Sequence, residues 1–269
     1  MTNPPRKLAF ILASTEHGAM IVNRFDEYRR PDNSGFGVGF QLLENAAYDP
    51  ADVTLLLTLL ELRRRCYGDG IVAIDCGANI GVHSVEWARH MTGWGIVIAI
   101  EAQERIYYAL AGNLAINNCF NARHPRRGER RAGLDEDSQS NYLAPGSFGS
   151  LELKHRDGTE FIGQAIDYSE ARMVDVRAIS LDAFNFPRLD LIKMDVEGTE
   201  LEALAGAANS IQAHRPMMLV EALKVDAGKL RAWLEGLNYS VLQSGINLLA
   251  IHKEDECLKH LKIEQQKSA

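Results

Sequence analysis

Short apolar runs separated by amphipathic stretches recur along the chain from about residue 50, and this rhythm predicts strands regularly followed by helices. Ile71-Val72-Ala73-Ile74 has no polar member, as expected of a strand covered on both faces in a parallel sheet. Ile96 to Ile100 and Met217 to Val220 read the same way, and Leu189 to Met194, which carries Asp190 and Lys193, is a further clear strand. Between them, apolar side chains return every three or four positions. Val53, Leu56, Leu57 and Leu60 predict a helix starting at Pro50, with Asp49 as its cap and Gly68 and Gly70 past its end. Ile80, Ser84, Trp87, Ala88 and Met91 mark a second helix. Ile106, Leu110, Asn113 and Leu114 mark a third, from Glu104 to Asn117. Leu201, Leu204, Ala205, Ala208 and Ile211 form the stripe of a fourth, opened by a capping box of Thr199 and Glu202. Asp226 caps a fifth, with Leu230, Trp233, Leu234 and Leu237 inward. Tyr239–Gln243 and Asn247–His252, joined through Ser244-Gly245, predict a closing hairpin.

Strand–helix units at this spacing imply an α/β fold: a doubly wound, mostly parallel sheet with helices on both faces and a C-terminal antiparallel hairpin. Residues 1–48 predict a small strand/helix extension, beginning with the run Leu8 to Ala13 and broken by the polar stretch Arg29 to Gly39. Residues 49–269 form the main domain. The rhythm lapses over about 122–172, where an insertion is expected. Ala122–Asn141 is arginine-rich, then acidic, with Leu134 as its one large aliphatic residue, so the strand due after Asn118 is not readable there. Beyond it, Ser150–Lys154 and Glu160–Ile162 suggest a hairpin, and Met173–Ile179 a further strand.

Composition narrows the classes. A net charge of -7 excludes the broad basic face of a nucleic-acid binder. The local crowding of Arg123, Arg126, Arg127, Arg130 and Arg131 is read as a solvated charge run or a grip on an anionic acceptor. Cys66, Cys76, Cys119 and Cys257 show no paired spacing, which fits reduced thiols in the cytoplasm. No stretch reaches the ~18 apolar residues of a membrane span, and Leu8 to Ala13 is too short for a signal peptide. Self-association is compatible with all of this.

Candidate chemistry is positional. Asp75, Glu101, Asp195 and Glu221 stand at the ends of four successive buried strands, where ligands of doubly wound sheets bind. The loop Gly77-Ala78-Asn79-Ile80-Gly81 follows the first strand, and its glycines permit close backbone approach to a ligand. A dinucleotide fingerprint would place glycine where Asn79 stands, and an acid directly before the loop repels pyrophosphate. Asp75 instead suits a ligand carrying an ammonium and a sulfonium. Glu101, 26 residues on, is placed to take both hydroxyls of a ribose. This chemistry fits S-adenosylmethionine, contacted by Asp75, Gly77, Ala78, Asn79, Gly81, Glu101 and Asp195. Two other readings remain: an NAD-dependent oxidoreductase on the same sheet, and a cofactor-binding protein without catalysis.

Several segments together carry a family resemblance. They are Gly37-Val38 with Tyr48-Asp49-Pro50, the loop Asp75–Gly81, Ser180-Leu181-Asp182, Lys193-Met194-Asp195-Val196-Glu197-Gly198, His214-Arg215-Pro216, and Glu221. In this order they resemble the FkbM family of S-adenosylmethionine-dependent methyltransferases, from roughly Gly37 to His252. Ala102 departs from the proline usual after the second strand's acid. The resemblance implies a Rossmann-like fold and O-methylation of a hydroxyl on a sugar or natural-product-like small molecule. Asp195 is the expected base or orienting group for that hydroxyl, with Glu197 and Glu221 as catalytic partners. The same three acids offer oxygen ligands to a hard metal, but no metal is expected. Lys193 is expected to pair with one of these acids. His83 points away from its helix's apolar stripe, and Pro145–Ser150 is read as a substrate wall or a plain loop.

Overall fold

A computed structural model describes residues 7–32, 34–123, 132–134, 140–169, 173–175 and 179–261. Its centre is a seven-stranded sheet whose strands lie in the order Tyr239–Ser244, Asn247–His252, Met217–Glu221, Leu191–Met194, Ile71–Cys76, Gly95–Ile100 and Ala122–Arg123. The parallel members are β5 (Ile71–Cys76), β6 (Gly95–Ile100), β7 (Ala122–Arg123), β10 (Leu191–Met194) and β11 (Met217–Glu221). The hairpin β12 (Tyr239–Ser244) and β13 (Asn247–His252) closes one edge, antiparallel to β11. Strand order runs outward from β5 to β6 and β7 on one side and to β10 and β11 on the other. The switch point therefore lies between β5 and β10.

Every side chain of β5, β10 and β11 is buried, which accounts for their largely apolar sequences, with Asp75, Lys193 and Glu221 as the charged members. Helices α2 (Pro50–Tyr67), α3 (Val82–His90) and α4 (Glu104–Ile116) bury Leu56, Leu60, Trp87, Ala88, Ile106 and Leu110 in the core on one face. The other face packs against α5 (Glu200–Ala205), α6 (Ala208–His214) and α7 (Ala227–Gly236) through Leu204, Ile211, Leu230 and Leu234. The inward sets expected for α3 and α4 are all buried, and Asp226 Oδ1 accepts from the Lys229 amide to cap α7. In α2, Leu59 is buried rather than Leu57, with Arg63 beside it.

The N-terminal hairpin, β1 (Phe10–Thr15) and β2 (Gly18–Asn23), stands outside the main sheet. Met20 and Val22 belong to the same core cluster as α2 and α3. On α4, Asn113 Oδ1 accepts from the Ile21 amide and its Nδ2 donates to Ile80 O, so one buried amide joins the hairpin, α4 and the glycine loop. A two-stranded ribbon, β3 (Tyr28–Arg29) and β4 (Gly35–Phe36), and a helix, α1 (Val38–Asn45), follow.

Four local expectations are corrected. Ser150–Ile162 is not a hairpin: a 3-10 turn at Phe148–Ser150 leads into irregular chain around Leu151 and Ile162. The expected fourth helix breaks at Gly206 into α5 and α6, so Ala205 is exposed. Its capping box does not form, because Glu202 pairs with Lys154 and the Thr199 hydroxyl donates to Val196 O. The strand after Asn118 does exist, as the two-residue β7 pairing with Val97 and Ile98. Met173–Asp175 (β9) pairs with Ala132–Leu134 (β8), apart from the main sheet. Residues 176–178 of the Met173–Ile179 reading and Arg126, Arg127, Arg130 and Arg131 lie outside the described residues; Ile179 is exposed and outside any strand, and Arg123 ends β7 and is exposed.

Candidate functional site

The segments leaving β5 and β10 meet at the switch point. Gly77 has φ +75°, and a Cβ there would lie 1.7 Å from the Asp195 carbonyl oxygen. Only glycine combines that left-handed backbone with that approach. The amides of Gly77 and Ala78 both donate to Ile100 O, and the Asp195 amide donates to Cys76 O. The turn is thus fastened to both neighbouring strands. Asn79 (φ +49°) holds its own turn by accepting from the Ile80 amide at 2.7 Å, a local bond that suits asparagine to this conformation. Gly81 (φ +91°) leads into α3, with Leu110 filling the space a Cβ would need.

Glu101, just past β6, turns back over this loop. Its Oε2 accepts from the Asn79 amide at 2.9 Å and its Oε1 from the Gln103 amide at 2.7 Å. Burial pushes its carboxyl up to about 7, against the lowering effect of those amides. Asp75 takes a different place from the one expected. It is a member of β5, 0% exposed, with Oδ2 accepting from the Ser84 hydroxyl at 2.6 Å. Its Oδ1 lies 3.8 Å from Lys193 Nζ and has no hydrogen-bond partner.

Lys193 Nζ also lies 3.4 Å from Asp195 Oδ2, which realises the expected ion pair. Burial works against its charge, yet Asp195 and Asp75 hold its pKa above the ordinary value. Asp195 Oδ1 is buried without a hydrogen-bond partner. Asp195, Glu197 and Glu221 come together, and each offers a carboxylate oxygen within 4.8 Å of the others. Glu197 sits at φ +53°, with Oε2 2.6 Å from Lys224 Nζ. Burial, then Asp195, pushes its carboxyl up to about 8, and the same two causes hold Glu221 at about 7. Beside them, Glu200 Oε1 accepts from the Val196 and Gly198 amides and shapes the segment after β10.

Other members were not legible in advance. Asp49 does not cap α2: it stands at φ +44° with no side-chain capping bond. Its half-buried carboxyl is raised by burial, lowered by Lys193 and raised again by Asp195, which places it among the site's charges. Its signal was hidden because Asp-Pro reads as a helix start. Tyr48 is raised well above its usual range by burial, then by Asp195 and Asp49. Asp26, with a carboxyl pushed by burial to about 6, accepts from the Gly39 and Phe148 amides. It thereby ties the turn at Phe148 to α1. That turn also meets the glycine loop, since Gly149 packs on Asn79 and Gln103 donates to Phe148 O. Lys224 donates to Ser150 O and Arg156 to Glu197 O, closing the same wall over the acids. His83 is buried between Tyr48 and Trp87, and burial drives its pKa well down, so it packs as a neutral ring.

The family model described as "Methyltransferase FkbM domain" matches residues 75–241. No curated protein sequence matches the chain. Among solved structures, the chain is similar to methyltransferase FkbM from Methylobacillus flagellatus KT at 19% identity, with a TM-score of 0.46 over 68% of this chain and 44% of that one. This chain thus spans less than half the length of that protein. It is also similar to the O-methyltransferase TomG of Streptomyces achromogenes, involved in tomaymycin synthesis and solved with SAM, at 15% identity, TM-score 0.45, over 77% and 82% of the two chains. Precorrin-6y C5,15-methyltransferase from Geobacter metallireducens GS-15 is similar at 14% identity, TM-score 0.43, over 77% and 89%.

Proposed function

Because this chain belongs to the FkbM methyltransferase family, we propose that it transfers a methyl group from S-adenosylmethionine to a hydroxyl of a small acceptor, a sugar or natural-product-like molecule. The observation that carries the reading is the contact of Gly77 with the Asp195 carbonyl, which sets a ligand-cradling loop against an acid with an unpartnered buried oxygen. The residues fit the cofactor. The glycine turn lies against the Asp195 backbone with no room for a side chain, so its own backbone faces the strand ends, and Glu101, which accepts from the Asn79 amide beside it, is the group we assign to the ribose hydroxyls. Gly77, Ala78, Asn79 and Gly81 form the cradle, while Asp75 and Lys193 support it from below. When bound, S-adenosylmethionine supplies an electrophilic methyl on a sulfonium, open to in-line attack by an oxygen.

The chain's own contribution is positioning and proton removal. Holding the acceptor oxygen in line contributes up to ~7–11 kcal/mol. Asp195 Oδ1 takes the hydroxyl proton, an effect of about 10²–10⁴-fold. Glu197 and Glu221 set the field around it, and the wall from Phe148 to Ile162 screens the cleft. With all four cysteines free and among the described residues no helix long and apolar enough to cross a membrane, we place the enzyme in the cytoplasm. Titration calorimetry with S-adenosylmethionine, S-adenosylhomocysteine and NAD tests the cofactor. Binding of NAD and neither adenosyl compound would return the oxidoreductase reading. Mass spectrometry over a panel of hydroxylated sugars and polyketide-like compounds then seeks a methylated product, made by the wild type and reduced at least a hundredfold in D195N. Cofactor binding with no product from any acceptor would favour a protein without catalysis.

A further inference from the structure

Three carboxylate oxygens, one each from Asp195, Glu197 and Glu221, lie within 4.8 Å of one another at the ends of β10 and β11. Three points so confined share a centre no more than about 2.8 Å from any of them, slightly beyond the 2.3–2.6 Å of calcium–oxygen bonds. A small side-chain adjustment brings the ~2.1 Å of magnesium within reach. Clustered acids alone are common at surfaces and need no ion. Here a second feature points the same way. Glu221 is 9% exposed, and its Oε2 is buried with no hydrogen-bond partner. A buried carboxylate oxygen left unmet is costly, and no donor among the described residues meets this one.

The neighbouring lysines do not balance the charge. Lys193 is shared between Asp195 and Asp75, and Lys224 faces Glu197. Five carboxyls (Asp49, Asp75, Asp195, Glu197 and Glu221) thus surround two ammonium groups. We propose that Asp195, Glu197 and Glu221 hold one hard divalent cation of the magnesium, manganese or calcium class through their carboxylate oxygens. The expectation of no metal gives way to this reading. Lys224 is built to yield: it retains Ser150 O at 2.9 Å and Glu160 Oε2 at 3.5 Å when the cation takes Glu197. The cation's role rests on the methyltransferase reading, in which its remaining positions take acceptor hydroxyls and lower their pKa beside the methyl donor. The site itself does not depend on that reading.

The test uses the full chain stripped with a chelator, with no methyl donor or acceptor present. Manganese binding is followed by the loss of the free-ion paramagnetic resonance signal, and magnesium and calcium are titrated in competition. One manganese per chain is expected, displaced by magnesium. E221Q and D195N should each weaken binding by roughly tenfold or more, since loss of a direct ligand costs at least as much as loss of an outer partner. E254Q, at an exposed acid paired with Arg215, should bind as the wild type does. Thermal melting identifies any variant that fails to fold, and the other substitution then carries the comparison. No manganese bound by the wild type at millimolar concentration overturns the proposal, as does equal binding by wild type, E221Q and D195N. S-adenosylmethionine is titrated into the same samples. Donor binding without cation binding overturns the cation site alone, whereas cation binding without donor binding upholds it and sinks the methyltransferase reading.

Discussion

Replacing Gly77 with alanine tests whether the glycine loop and the Asp195 segment act as one unit. The new Cβ would lie 1.7 Å from Asp195 O, where real contacts do not fall below 3.0 Å, so the two segments must part by roughly 1.3 Å. Alanine at φ +75° adds about 1–2 kcal/mol of backbone strain. Parting the segments strains two further bonds, Gly77 N–H to Ile100 O and Asp195 N–H to Cys76 O, both 3.0 Å long and each contributing about 1 kcal/mol. The sum is about 3–4 kcal/mol. For a chain of this size that lowers Tm by on the order of 10 °C. Displacement of this size between donor cradle and acceptor acid also costs about a hundredfold in rate. Differential scanning fluorimetry, calorimetry with S-adenosylmethionine and single-turnover methyl transfer read the three effects. If G77A melts and binds the donor as the wild type does, the contact between the loops does not support the site. A variant that melts early but keeps its turnover would show that the contact is structural only.

Three further outcomes follow from the same geometry. Asn79→Ala should destabilise by about 1–2 kcal/mol, because alanine loses both the tolerance of φ +49° and the bond to the Ile80 amide, whereas Asn79→Gly should cost less; equal melting temperatures for the two would refute this. Glu101 has a folded pKa of about 7 against an ordinary 4.5, so its protonated form favours folding. That contribution is complete below pH 4.5 and is lost as pH rises through 7, at most about 3 kcal/mol. Urea melts of wild type against E101Q between pH 5 and 8 should show a steeper decline in the wild type, and parallel curves would discard the assignment. Arg63→Met leaves buried Asp190 and Asp255 without their shared guanidinium, which should cost about 3–5 kcal/mol with little change in donor affinity. An unchanged melting temperature would contradict that.

What was legible in the sequence follows from how strongly each feature depends on local pattern. Strands buried on both faces announce themselves by largely apolar runs, and α3 and α4 by a single clean stripe, so the sheet apart from the two-residue β7 could be read directly. Acids at strand ends were legible because the fold assigns that position a role before any contact is known. The depth of Asp75 was not legible, because β5 continues through it to Cys76 and buries its side chain with the rest of the strand. Asp49 misled because a helix-capping signal and a site residue use the same side chain. Glu202 misled because Lys154, forty-eight positions away in sequence, competes for its carboxylate. Partners that distant leave no local mark, and Asp26 with Phe148 and Lys224 with Ser150 are further pairs of that kind.

Lys193 shows how the sheet itself builds the site's electrostatics. In the register of the parallel pair it lies opposite Asp75 on β5 and Leu219 on β11. Side chains alternate along a strand, so the residues two further on, Asp195 and Glu221, emerge on the same side at the ends of their strands. One charged residue inside an otherwise apolar β10 is therefore the counter-ion of a carboxylate that cannot reach water. Lys193 Nζ lies 3.8 Å from Asp75 Oδ1 and 3.4 Å from Asp195 Oδ2, and neither Asp75 Oδ1 nor Asp195 Oδ1 has a hydrogen-bond partner. A lysine facing Asp195 alone would leave that acid neutralised and passive. Sharing it with Asp75 sets two carboxylates against one ammonium, and on the proposed reading the residual negative charge is what receives the acceptor's proton or a cation.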